Sequence, residues 1–240
     1  MFNREVDYPT AVASYDDAGV EAAIEWCLEH MQDSDTLTVW TSLKSNLGNC
    51  EKLERLVNRY SNVEHVTSRQ GGFVSNPGPV LMAWPDMDDI AKMASNRHLR
   101  AMCVITWNEN QIRPWVTAMN PDILGDGSTW ERHTVTLDPV LVEALQSLTL
   151  TINHNNTIAG GFEKDQVVGV LLALHDAGVP MNGQAMQGWA IAHGWSRENP
   201  KRLAQYVNDI NAGKRPRSRS LIQSDYIATL RRRVSEGNKD

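Results

Sequence analysis

Between residues 9 and 119, short apolar runs alternate with segments whose apolar residues recur every three or four positions. A chain that switches repeatedly between these two periods, with short connections, is expected to build strand–helix units around a mostly parallel sheet. The strand segments are "PTAVAS" (9–14), "TLTVWT" (36–41), "VEHVT" (63–67), "PVLMAW" (79–84) and "AMCVITW" (101–107). Several of them are rich in the β-branched and aromatic residues that suit a pleated, buried surface. Between them, Val20, Ile24, Cys27, Leu28 and Met31 mark one helical stripe, and Leu53, Leu56, Val57 and Tyr60 a second. Ile90, Met93 and Ala94 mark a third, and Ile112, Trp115, Val116 and Met119 a fourth. Asp16 or Asp17 is placed to cap the first helix and Asp86 the third, because a short carboxylate satisfies free amides at a helix start.

Two places resist the pattern. Pro114 fits the fourth helix only within its first turn, since a later proline removes a backbone hydrogen bond. The link from "VEHVT" to "PVLMAW" has no helical stripe, only the loop "SRQGGFVSNPG" (68–78), so one strand is expected to run antiparallel there. Gly71 and Gly72 in that loop permit unusual backbone dihedrals.

The first domain is therefore expected to be α/β, a doubly wound, Rossmann-like sheet over residues 1–125. The turn-rich stretch "NPDILGDGSTWERHT" (120–134) ends the alternation, and a linker is expected over 126–137. Residues 138–235 read as an all-α domain. Asp138 caps and Pro139 opens a helix with the stripe Leu141, Ala144, Leu145 and Leu148. Val167, Val170, Leu171 and Leu174 mark the next, with Gly178 as its left-handed stop. Gly194 and Gly213 stop two further helices, and Ile222, Ile227, Leu230 and Val234 mark a last one. Helices over 164–177, 183–193 and 198–211, with the short "VPMN" turn, have the lengths of a helix-turn-helix or winged-helix-like domain.

Charge is divided unevenly. Residues 1–196 hold 12 Lys and Arg against 24 Asp and Glu, whereas 197–240 hold 11 against 5, so a net charge of −6 hides a basic C-terminus. Such a split points to an anionic partner on one face only. The segment "NAGKRPRSRS" (211–220) is its densest part. In a helix-turn-helix reading, Asn182, Gln184, Gln187 and His193 would face base edges. Lys201, Arg202, Lys214, Arg215, Arg217 and Arg219 would contact phosphates. The candidate recognition helix has no Lys or Arg, and Trp189 and Trp195 read as core residues.

Other chemistry is sparse. The loop after the second strand brings Ser42, Lys44, Ser45, Asn46 and Gly48 to a helix start, a place that favours anions and gives a candidate ligand site. It is not a P-loop, and neither GxxxxGK[ST] nor GxGxxG occurs, so no cofactor is expected. Asp86, Asp88 and Asp89 cluster beyond a strand end, but helix capping accounts for them without a metal. His154, in the polar loop "TINHNN", is the most site-like of seven scattered histidines, and no nucleophile motif is present. Cys27, Cys50 and Cys103 are widely spaced in apolar segments, as buried thiols would be, so neither a disulfide nor a zinc site is expected. No apolar run reaches membrane-spanning length and residues 1–10 offer no signal-peptide core, so a cytoplasmic protein is expected.

The segments "GW…RLAQYVNDINAGKRPR" and "GPVLMAWP" resemble parts of uncharacterised bacterial proteins that join an α/β half to a helical half. That resemblance implies no activity, cofactor or catalytic residue. The expected function is non-enzymatic nucleic-acid binding, as in a regulator, through the C-terminal helices and basic arm. The alternatives are a protein–protein assembly or homo-oligomer with a solvated basic tail, and a nucleotide sensor or enzyme at residues 42–49.

Overall fold

In a computed structural model, which describes residues 6–70, 74–127, 130 and 136–237, the alternation becomes a six-stranded sheet. The first strands and helices are β1 (Thr10–Ser14), α1 (Asp17–Glu29), β2 (Leu37–Thr41), α2 (Glu51–Arg59), β3 (Val63–Thr67) and β4 (Gly78–Ala83). They are followed by α3 (Met87–Ala94), β5 (Leu99–Thr106), α4 (Glu109–Met119) and β6 (Asp122–Leu124). The strand order is β3-β2-β4-β5-β1-β6, with Val39 opposite Leu81 and Val12 opposite Val104 in register.

Every pairing is parallel, including β2 with β4. The antiparallel strand expected after β3 is therefore corrected: no α-helix lies between β3 and β4 among the described residues, yet β4 runs in the common direction. Right-handed crossovers send α1 and α2 to one face and α3 and α4 to the other, because their connections run in opposite directions along the sheet. On the first face Ala11, Ala13, Val39, Leu81, Cys103 and Ile105 pack with Val20, Ala23, Cys27, Leu53 and Leu56. The alternate residues Val12, Trp40, Val80, Met82 and Val104 are buried as well, as a sheet covered on both faces requires.

Three details depart from the sequence reading. β6 is a sixth strand inside the stretch assigned to turns, pairing with β1 through Ala11–Asp122, Val12–Ile123 and Ala13–Leu124. Pro114 lies inside α4 rather than in its first turn, so that helix forgoes one backbone bond and holds by burying Ile112, Trp115 and Val116. Tyr60, the last residue of the apolar stripe in the sequence, caps α2 and is exposed. Gly71, Gly72 and most of the expected 126–137 linker lie outside the described residues.

The chain divides into two compact units between residues 134 and 135. The second contains α5 (Pro139–Thr151), α6 (Gly161–Asp176), α7 (Gly183–Ala192), α8 (Asn199–Asn211) and α9 (Tyr226–Gly237). Asp138 caps α5 by accepting from the Val140 amide. Gly178, Gly194 and Gly213 all have left-handed φ, between 71° and 83°. After each, the next amide reaches back five residues: Val179 to Leu174, Trp195 to Ala190 and Lys214 to Asp209. These paired bonds consume carbonyls that a helix end leaves free. The core of this unit joins Leu141, Leu145, Leu148, Val167, Leu171, Leu174, Trp195, Leu203 and Val207. No helix among the described residues is long and apolar enough to cross a membrane.

Candidate functional site

The basic run after Gly213 is neither a free arm nor a loose tail. Lys214 pairs with Asp209 at 2.7 Å, and Arg215 grips both oxygens of Asp176 at 2.8 and 2.7 Å. The Arg215 contact, with help from His175, draws the Asp176 carboxyl down to about 2. Ser218 Oγ then donates to the Asp165 carbonyl and accepts from the Ser220 amide. Asp165 and Asp176 both belong to α6, so residues 214–222 form a strap lying along that helix.

Gly169 is what lets the strap lie so close. A Cβ at that position would stand 3.1 Å from Ser220 Cβ, 3.2 Å from Ser218 Oγ and 3.3 Å from Ile222 Cγ1. Beyond the strap, α9 returns across α5, where Arg233 pairs with Glu143 at 3.2 Å. Arg231 Nη2 lies 3.5 Å from the Ala177 carbonyl, next to the Arg215–Asp176 pair. Arg215 and Arg231 thus meet at the C-terminus of α6, where cations are favoured. Residues 214–233 hold seven Lys and Arg and one Asp. Arg217 and Arg219 are exposed and make no ion pair with any described residue.

The helices before the strap are less open. Met186, Trp189 and Ala190 of α7 belong to the core, and Gln187 is only 9% exposed, whereas Gln184 is exposed. Asn182 caps α7 by accepting from the Ala185 amide. His193 stacks on Trp189 with ring centres 3.7 Å apart, its Nδ1 2.8 Å from the Trp189 carbonyl. Lys201 is exposed on α8, and Arg202 donates to Gln205. His154 turns out to be a core residue: it is buried, its Nε2 is 2.8 Å from the Thr149 carbonyl, and its ring meets Trp195 edge-on.

In the first unit, β2 leads to β3 and β4 to β5 in opposite directions, so their adjacent carboxyl ends form the crevice where open α/β sheets take ligands. Ser42 lies beside it, and Lys44, Ser45, Asn46 and Gly48 fall in a short 3-10 helix, Lys44–Asn49. Lys44 and Ser45 are exposed, and a Cβ on Gly48 would meet nothing, so that glycine answers no close approach. Thr41 Oγ1 donates to the Leu43 carbonyl and lies 2.7 Å from His65 Nε2. Burial, and secondarily Lys44, hold His65 below its usual value.

An aromatic group stands on the other side of that crevice. Trp84 and Trp107 stack at 5.7 Å and 19°, and Tyr15 meets Trp84 edge-on at 5.1 Å and 89°. Tyr15 Oη donates to the Asn49 carbonyl at 2.7 Å, tying the group to the end of the 3-10 helix. Trp84 has φ of 57°, a left-handed conformation that is costly for a bulky side chain. Its amide still bonds the Ile105 carbonyl, and its Nε1 is buried with no acceptor among the described residues. Nearby, Asp86 and Asp89 form a reciprocal capping box at the start of α3. Burial and the Asp86 charge raise Asp89 to about 6.

The profile of a family described as "Domain of unknown function (DUF1889)" matches residues 137–231, which covers the strap and most of the helical unit. A comparison with curated proteins gives no match. A solution NMR structure of a structural-genomics target from Salmonella typhimurium aligns over 44% of this chain and 98% of its own at 19% identity. Its TM-score of 0.35 is too low to carry an argument. The helical unit thus resembles a family of unknown function.

Proposed function

We propose that the C-terminal unit binds nucleic acid through the strap of residues 214–222 and the adjoining basic turns of α9. One observation carries the reading: the strap is fastened to α6 while Arg217 and Arg219 remain exposed, with no ion partner among the described residues. Cations held on a folded surface lose less conformational freedom on meeting a phosphate than cations on a loose tail. Lys214 and Arg215 contribute less, because binding must first compete with Asp209 and Asp176. Exposed pairs of that kind are weak, so the competition is modest.

A helix-turn-helix reading of α6 and α7 enters this proposal only in outline. α7 has no Lys or Arg and Gln187 is buried, which leaves Gln184 as its candidate base contact. Binding is therefore expected to be dominated by phosphates, salt-sensitive and weakly sequence-selective. The test is a mobility shift of a duplex oligonucleotide at roughly 50 mM salt, where sequence-independent binding is strongest. Binding at micromolar protein, weakened by Arg217→Ala with Arg219→Ala, supports the proposal. No shift under those conditions refutes it.

A further inference from the structure

We infer that the carboxyl edge of the sheet in the first unit is a second binding site, one that takes a small organic cation on the exposed face of Trp107. β4, β5 and β1 are neighbours in the sheet, and each ends in the same way. The residue just after the strand is aromatic (Trp84, Trp107, Tyr15), and the third residue after it is an acid (Asp86, Glu109, Asp17). Three adjacent strand ends thus present three rings in mutual contact, each followed by a carboxylate at a helix start.

The rings are not arranged as a buried core. Trp107 is the outer member and is 61% exposed, although it is stacked on Trp84 and crossed by Tyr15 at 6.5 Å and 77°. Trp84 holds a left-handed backbone to take its place in the stack. Strained residues of this kind persist where the surroundings over-determine them, and they cluster at ligand sites. An exposed indole face supported from behind by a second indole is a platform, and indole is the best ring for attracting a cation.

Charge selects the ligand class. Residues 6–134 hold 10 Lys and Arg against 18 Asp and Glu, a balance of −8. Of the helix starts at this edge, those of α1 and α3 are filled by Asp16 and by the Asp86–Asp89 box, and that of α4, which has no side-chain cap, carries Glu109 in its first turn. Asp16 is held ionised by Ser14 and the Gly19 amide. Of the cations at this edge, Lys52 is spent on Asp17 and Glu21, which leaves Lys44 and Arg69, both exposed, against the carboxylates. A phosphate-bearing ligand would meet a carboxylate at each of the three helix starts, whereas a methylated ammonium would meet a π face with Glu109 two residues along the chain.

The experiment uses the full chain labelled with 15N at tryptophan and follows the Trp107 Nε1 signal. The probes are choline, its uncharged isostere 3,3-dimethylbutan-1-ol, and AMP. Saturable millimolar binding of choline is expected, with the isostere about fivefold weaker, the difference of about 1 kcal/mol that a cation–π contact supplies at an exposed ring. Trp107→Ala is expected to abolish the binding and Glu109→Gln to weaken it several-fold. Trp107→Phe is expected to retain part of it, which separates loss of the platform from loss of the fold. Equal affinity for the isostere, no saturable shift at about 50 mM choline, or tighter binding of AMP at Trp107 would each overturn the inference.

Discussion

Replacing Asn199 with alanine tests how the helical unit holds the loop between α5 and α6. Asn199 opens α8 and is 3% exposed. Its Oδ1 accepts from the Ile158 amide at 3.0 Å, and its Nδ2 donates to the Asn156 carbonyl at 3.0 Å. Seven residues on, two helical turns along the same face, Tyr206 Oη donates to the Ile158 carbonyl at 2.8 Å. Both backbone groups of the fully buried Ile158 therefore depend on α8 side chains. In Asn199→Ala the Ile158 amide has no replacement acceptor, and leaving a buried donor unpaired costs about 1–3 kcal/mol. Asn156 is exposed and its carbonyl can turn to water, so the total should be about 2–3 kcal/mol rather than twice the single cost.

Tyr206→Phe should cost about 1–2 kcal/mol by the same reasoning. The double variant should cost less than the two together by at least about 0.5 kcal/mol, because a loop released by one change no longer depends on the other contact. Urea unfolding gives the free energies, and hydrogen exchange of the Ile158 amide reads the local opening directly. A loss below about 0.5 kcal/mol for Asn199→Ala, or strict additivity in the double variant, would refute this account of the loop.

Three further outcomes are expected. Gly169→Leu should displace the strap and leave α6 folded, seen as faster proteolysis near residue 218 with little change in helical circular dichroism; an unchanged digestion pattern would contradict the packing. Gly19→Ala should destabilise by about 1–3 kcal/mol, because its Cβ would stand 2.3 Å from the Ser14 carbonyl oxygen and force α1 off β1; a neutral thermal midpoint would contradict it. Asp89 has a folded value of about 6 against an ordinary 3.8, so the native state binds more protons than the unfolded state between those limits. Its contribution therefore falls as pH rises from about 4 to about 6, by about 1 kcal/mol once solvent screening is allowed for. Asp89→Asn should flatten that part of the stability profile, and an unchanged slope would contradict the assignment.

Local signals carried much of the architecture. Asp16, Asp86 and Asp138 cap the helices they precede, and Gly178, Gly194 and Gly213 stop theirs, because capping depends on residues within one turn. What escaped the sequence depends on distant partners. β6 is three residues long and owes its existence to pairing with β1, more than a hundred residues earlier. The direction of β4 is set by β2, not by the loop that precedes it. Pro114 is tolerated inside α4 because tertiary burial outweighs one lost backbone bond. The strap is the plainest case: Arg215 and Asp176 are 39 residues apart, and nothing local marks Gly169 as a seat for Ser218 and Ser220. The aromatic–acid repeat at three strand ends was present in the sequence, but only the strand order makes those ends neighbours.

The most direct test of the nucleic-acid proposal is the salt dependence of binding to a duplex, measured by fluorescence anisotropy for three proteins. Each phosphate neutralised contributes about 0.9 to the slope of log affinity against log salt. Changing Arg217 and Arg219 to alanine should therefore reduce the slope by about 1.8, whereas changing Lys214 and Arg215 should reduce it by clearly less, since those two already face Asp209 and Asp176. Equal reductions from both pairs, or a slope that neither pair alters, would contradict the assignment of binding to the strap.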